Sequence, residues 1–96
     1  MSERDELDYE WDEAKSERTK ADRGFGFEII QGFDWDYAIC LDIQNQNGEE
    51  REKWIGPIGD KLFAAVITLR GEAVRVISLR RAENTEIAIW REGTRA

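Results

Sequence analysis

The 96-residue chain has room for one hydrophobic core, and its net charge of −7 argues against simple non-specific adhesion to nucleic acid. One cysteine and no histidine exclude an internal disulfide and leave no ligand set for zinc, so neither a metal nor a cofactor is expected. No apolar run approaches the ~20 residues of a membrane-spanning helix, and the start, Met1-Ser2-Glu3-Arg4-Asp5-Glu6, is charged and lacks a signal-peptide core; a reduced, cytoplasmic setting is expected.

Residues 1–8 are polar and are expected to fray. Tyr9-Glu10-Trp11 is short and amphipathic, in the manner of a brief edge strand. Asp12 reads as a helix N-cap, with Glu13 placing negative charge in the first turn and Trp11 at the staple position. A first helix is expected from Glu13 to Arg23, with Gly24 as its left-handed C-terminal residue. Only Ala14 and Ala21 are apolar in it, so it lies on the surface and Lys15, Arg18 and Lys20 read as solvated. Phe27, Ile30 and Phe33 stand at helical spacing and predict a short second helix against the sheet.

Alternation of Tyr37, Ile39, Leu41 and Ile43 with Ala38, Cys40 and Asp42 predicts a strand, and Asn47-Gly48 a hairpin turn after it. The next strand, Glu49 to Ile58, carries Trp54 and the single proline; Pro57 has no amide to donate, so it belongs on an edge or at a strand end. Gly59-Asp60 turns the chain into Leu62–Leu69, apolar at nearly every position as in a strand covered on both faces. After the Arg70-Gly71-Glu72 turn, Val74–Leu79 forms the partner strand, and a last helix from Glu83 to Glu92 carries Ile87, Ile89 and Trp90 and stops before Gly93. The expected fold is therefore α+β: one domain with a four-stranded antiparallel sheet, and two N-terminal helices and one C-terminal helix packed on one of its faces.

Charge is divided unevenly along the chain. Residues 1–60 hold 17 acidic and 7 basic side chains, residues 61–96 hold 4 acidic and 7 basic, so the sheet and C-terminal region can present a positive field on an acidic protein. Arg75, Arg80 and Arg81 stand at the ends of an otherwise apolar strand, where guanidinium groups suit phosphate or carboxylate. Pairing with the abundant acids accounts for them equally well.

Four stretches in this order resemble the BrnT family of type II toxin–antitoxin toxins, related in fold to RelE-like ribonucleases. They are Tyr9-Glu10-Trp11-Asp12-Glu13-Ala14-Lys15, Gly24-Phe25-Gly26-Phe27-Glu28, Glu49-Glu50-Arg51 with Ile55-Gly56, and Val74-Arg75-Val76-Ile77-Ser78-Leu79-Arg80-Arg81-Ala82. The resemblance spans residues 9–90 and implies a small cytoplasmic toxin that cleaves RNA and slows translation. It also implies a ribbon-helix-helix type antitoxin that neutralises the toxin and meets DNA itself, so that the toxin touches DNA only through it. The chain departs from the family where a Lys-His-Gly usually ends the first helix: here stands Asp22-Arg23-Gly24. Leu79 occupies a position commonly Ala, Glu86-Ile87 the place of a Glu-Arg pair, and Trp90 that of a terminal tyrosine. Without the histidine, the side chain that titrates near neutrality is gone, and Arg23, always protonated, is no base.

Cleavage by the ribose 2′-hydroxyl needs a proton acceptor, a donor for the leaving oxygen and positive charge for the pentavalent phosphate. Arg51, Arg75 and Arg80 match family motif positions and are the candidates for that charge, with Lys15 as a further phosphate contact and Glu50 as the base. The plainer account pairs Lys15 with Glu13 or Asp12, Arg51 with neighbouring Glu49 or a cross-strand acid, and Arg75 with a sheet carboxylate. Trp35, Tyr37 and Trp54 suit stacking on bases, but burial in the core or against an antitoxin is the stronger expectation for them. A second function class stands beside the ribonuclease: a toxin-like binding module that retains only its partner surface. Direct DNA binding is poorer, since no helix carries a basic recognition face.

Overall fold

The computed structural model describes residues 7–95; the fraying expected at the start of the chain falls largely on residues 1–6, outside that range. Strand β1 (Asp8–Trp11) leads into helix α1 (Glu13–Arg23), followed by two 3-10 segments, Phe27–Gly32 and Trp35–Tyr37. Strands β2 (Ile39–Gln46), β3 (Glu49–Ile58), β4 (Lys61–Arg70) and β5 (Ala73–Arg81) follow, and helix α2 (Asn84–Thr94) closes the fold.

The sheet has five strands in the order β1-β5-β4-β3-β2 and is mixed, not four-stranded and antiparallel as expected. β2 to β5 form the antiparallel meander, but β1 joins parallel to β5 through Asp8↔Ala73 to Trp11↔Val76. A segment of 4 residues has too little pattern to declare its partner; only the return of β5 beside it does. Two of the predicted elements also shift. Phe27, Ile30 and Phe33 bury as their spacing requires, but the chain between them is a 3-10 turn rather than an α-helix. α2 runs through Gly93 instead of stopping before it, because the missing Cβ lets the helix approach Ile39: a Cβ there would stand 3.3 Å from the Ile39 side chain.

The helices do not share a face. Phe27, Ile30 and Phe33 pack on Phe63, Ala65, Ile67, Val74, Val76 and Leu79, which form the buried core. Arg80 and Lys53 point to the opposite side, where both reach Glu86 of α2. The sheet is thus covered on both faces, which is why β4 is apolar nearly throughout. Gly56 sits under the first cover, where a Cβ would lie 2.7 Å from the Phe33 ring and 2.8 Å from the Ala38 side chain.

α1 forms as its sequence dictates: Asp12 caps it by accepting from the Lys15 amide at 3.1 Å, and Gly24 ends it at φ 86°. Its buried residue is Ser16, whose hydroxyl accepts from the Phe27 amide at 2.8 Å and so joins helix to 3-10 turn. Beyond Trp11, where β1 stops, the guanidinium of Arg23 donates to the Leu79 carbonyl at 2.9 Å, satisfying a polar group on the edge that β5 exposes there.

Candidate functional site

Strand register decides which cations meet. Arg75 lies opposite Thr68 on β4, and Arg51 stands beside it on β3, where the neighbouring Glu50 carbonyl accepts from the Thr68 hydroxyl at 2.8 Å. Lys15 reaches the same place from the first turn of α1. Together with Arg70 they line a groove of about 270 Å³ whose remaining polar walls are Asp12 and Glu49. Glu49 bridges two of the cations, with Arg51 at 3.1 Å and Arg70 at 3.4 Å, while Arg75 is 3.4 Å from Glu10 on β1. The hydrogen bond from Arg51 holds the Glu49 carboxyl below the usual carboxylate range. Lys15 has no carboxylate partner among the described residues.

Arg80 is elsewhere. Its two terminal nitrogens each bond Glu86 at 2.8 Å, a bidentate pair, and Glu83 stands 3.9 Å away. Lys53 approaches Glu86 to 2.6 Å and the Glu83 amide donates to it at 2.8 Å. Glu86 is 4% exposed, and chiefly the Arg80 hydrogen bonds hold its carboxyl down to about 2. This is the joint that seats α2 on the sheet. The three arginines proposed from sequence to act together therefore do not converge: Arg51 and Arg75 share the groove, and Arg80 holds α2.

Glu50 does not meet the groove either. Adjacent residues of a strand project to opposite faces, and Glu50 lines a separate cleft with Gly48, Glu49, Glu52, Thr68 and Leu69. Nothing in the sequence marked Arg70 as a groove member; it reads there as part of a turn tripeptide, but it ends β4 and reaches the site because β4 and β3 run side by side.

The aromatic candidates divide as well. Trp35 donates to the Tyr9 hydroxyl at 2.7 Å and packs edge-on against Phe33 and Trp54, so it is a structural ring. Burial raises the Tyr9 hydroxyl above its ordinary value. Trp54 donates to Glu52 at 2.9 Å. Tyr37 remains 62% exposed, with its carbonyl accepting from the Trp90 indole at 2.6 Å. Among the described residues no cluster of His, Cys, Asp and Glu is placed to hold a metal ion, and no helix is long and apolar enough to cross a membrane.

At the far end of β5, a second pocket of about 370 Å³ is lined by Arg23, Phe25, Arg80 and Arg81. Two cationic recesses thus lie among the described residues, one on the face of β3 to β5 and one at the end of β5.

Comparison with known proteins gives one result. The family model for the ribonuclease toxin BrnT of type II toxin–antitoxin systems matches residues 11–86, which include both recesses. No curated protein and no solved structure matches the chain.

Proposed function

The chain belongs to the BrnT family of ribonuclease toxins of type II toxin–antitoxin systems, and from that premise we propose that it is an endoribonuclease that inhibits translation in the cytoplasm. A cognate antitoxin of the ribbon-helix-helix type neutralises it, and the toxin meets DNA only through that partner. The observation that carries the reading is the groove, where Lys15, Arg51, Arg70 and Arg75 gather against two carboxylates.

In this reading a backbone phosphate of single-stranded RNA enters the groove and displaces Glu49 and Glu10 from their guanidinium partners. The 2′-oxygen of the preceding ribose forms a bond to phosphorus and the bond to the 5′-oxygen breaks, leaving a 2′,3′-cyclic phosphate and a 5′-hydroxyl. Arg51, Arg75 and Lys15 stabilise the charge that builds on the equatorial oxygens, a contribution that elsewhere is worth about 10²–10³ in rate for one preorganised donor. The 2′-hydroxyl proton leaves to solvent and the departing 5′-oxygen takes its proton from solvent, since Glu50 is on the other face and Arg51, by holding the Glu49 carboxyl below the usual range, leaves it a weak acceptor.

The test is cleavage of a single-stranded RNA by purified protein, with Lys15→Ala and Arg51→Ala beside wild type. Both variants are expected to lose at least about tenfold in rate at unchanged thermal midpoint. Wild-type rates in both would refute the groove.

A second reading has its own support: Arg80 is neutralised by Glu86, Arg23 replaces the family histidine, and the candidate base Glu50 lies outside the groove. The chain is then a binding module that keeps the partner surface alone. Inducing the gene alone and with its genomic neighbour separates the two. Growth arrest relieved by the neighbour favours the nuclease; tight neighbour binding without arrest favours the module.

A further inference from the structure

The pocket at the end of β5 has a composition that ion pairing does not explain. Arg81 places its guanidinium carbon 5.7 Å from the centroid of the Phe63 ring, and Phe25 meets the same ring edge-on at 5.2 Å and 84°. Arg23 spends one nitrogen on the Leu79 carbonyl, and a guanidinium has five N–H groups to offer. Neither Arg23 nor Arg81 has a carboxylate partner among the described residues. Arg80, by contrast, is neutralised by Glu86 and Glu83 and only walls the pocket. What remains is a recess lined by a half-buried aromatic ring and by two guanidinium groups that have no carboxylate partner among the described residues.

We propose that this pocket is a nucleotide subsite for single-stranded RNA, in which Arg23 and Arg81 grip a backbone phosphate and the adjoining base stacks on Phe25. It rests on the reading that the chain binds RNA, and extends it: the strand held in the groove continues along β5 to its end. Arg75 and Arg80 lie opposite Thr68 and Ala64, four residues apart on β4, about 13 Å at ~3.3 Å per residue, so the two recesses engage different phosphates. Flat rings and guanidinium planes beside positive charge are the elements by which proteins hold single strands without reading sequence. An acidic peptide offers the charge, but brings a planar partner to the ring only where an aromatic residue adjoins its carboxylates, whereas every nucleotide carries both.

The experiment is fluorescence anisotropy with a 2′-O-methyl oligoribonucleotide, which cannot cleave itself, titrated at several salt concentrations. Arg81→Ala is expected to weaken binding about fivefold and to lower the slope of log K against log salt by ~0.7, the share of one phosphate contact. Arg23→Ala is expected to act alike; Arg81, whose side chain makes no hydrogen bond among the described residues, keeps the test valid if the Arg23 variant fails to fold. Phe25→Leu retains apolar contact with Phe63 and is expected to weaken binding about fivefold with the slope unchanged. Wild-type affinity in all three, with Lys15→Ala and Arg75→Ala impaired, would overturn the subsite and leave the nuclease reading standing. Variants that keep RNA affinity but no longer bind the co-expressed neighbour protein would overturn it too, assigning the pocket to a peptide. Absence of RNA binding by the wild type would overturn both readings.

Discussion

Glu86→Gln is expected to loosen α2 from the sheet. The substitution keeps size and shape but removes the charge that Arg80 and Lys53 share, leaving two cations facing an amide in a nearly dry joint. Folding holds the Glu86 carboxyl at about 2 against an ordinary 4.5. At ~1.4 kcal/mol per unit that difference amounts to about 3 kcal/mol. Arg80 and Lys53 keep 29% and 30% of their side-chain surface in water, and screening there discounts the figure to about 2 kcal/mol. A loss of that size lowers the thermal midpoint of a domain this small by roughly 8–16 °C. The depressed value fixes the sign of the pH dependence. Its contribution is complete above about pH 5 and disappears as the pH falls towards 2, when the folded-state carboxyl finally takes its proton. Urea denaturation of wild type and variant from pH 7 to pH 2.5 measures this directly. The two proteins are expected to differ by about 2 kcal/mol at pH 7 and to converge in acid. Equal stability at pH 7, or a gap that widens as the pH falls, would show that Glu86 does not hold the helix.

Gly56→Ala drives a methyl into the Phe33 ring and the Ala38 side chain and is expected to cost about 1–3 kcal/mol, read from the denaturation midpoint. Ser16→Ala strands the buried Phe27 amide and is expected to cost a similar ~1–3 kcal/mol, with faster hydrogen exchange at Phe27 as the local sign. Cleavage by the wild type is expected to rise steadily from pH 6 to 8, because the chain has no histidine and the 2′-hydroxyl gives its proton to solvent; a bell-shaped profile would reveal a side-chain base. Cys40 is exposed, yet lost hydration and the nearby Glu52 charge raise its thiol above the ordinary value. Its alkylation by iodoacetamide at pH 7.5 is therefore expected to be slower than that of free cysteine, and an equal rate would refute the perturbation.

The meander was legible because its signals are local: Asn47-Gly48 fixes a turn, the apolar run of β4 marks a strand covered twice, and Asp12 and Gly24 delimit α1 by capping chemistry that needs nothing distant. Family membership was legible for a similar reason, since its motifs are contiguous. The fifth strand was not, because β1 is recognised by pairing with a segment more than sixty residues away. Nor was the site. Simple alternation puts Arg75 and Arg81 on one face of β5 and Arg80 on the other. The bulge at Ile77, where the register jumps from Ser78 opposite Val66 to Val76 opposite Ile67, reverses this. Arg75 and Arg80 then share a face, and Arg81 turns over the Phe63 ring. Sequence by itself determined which residues are cationic and which segments form the four-stranded meander. One extra residue in the ladder, a property of pairing between strands and of neither strand alone, decided which cations face the groove and which the end of β5.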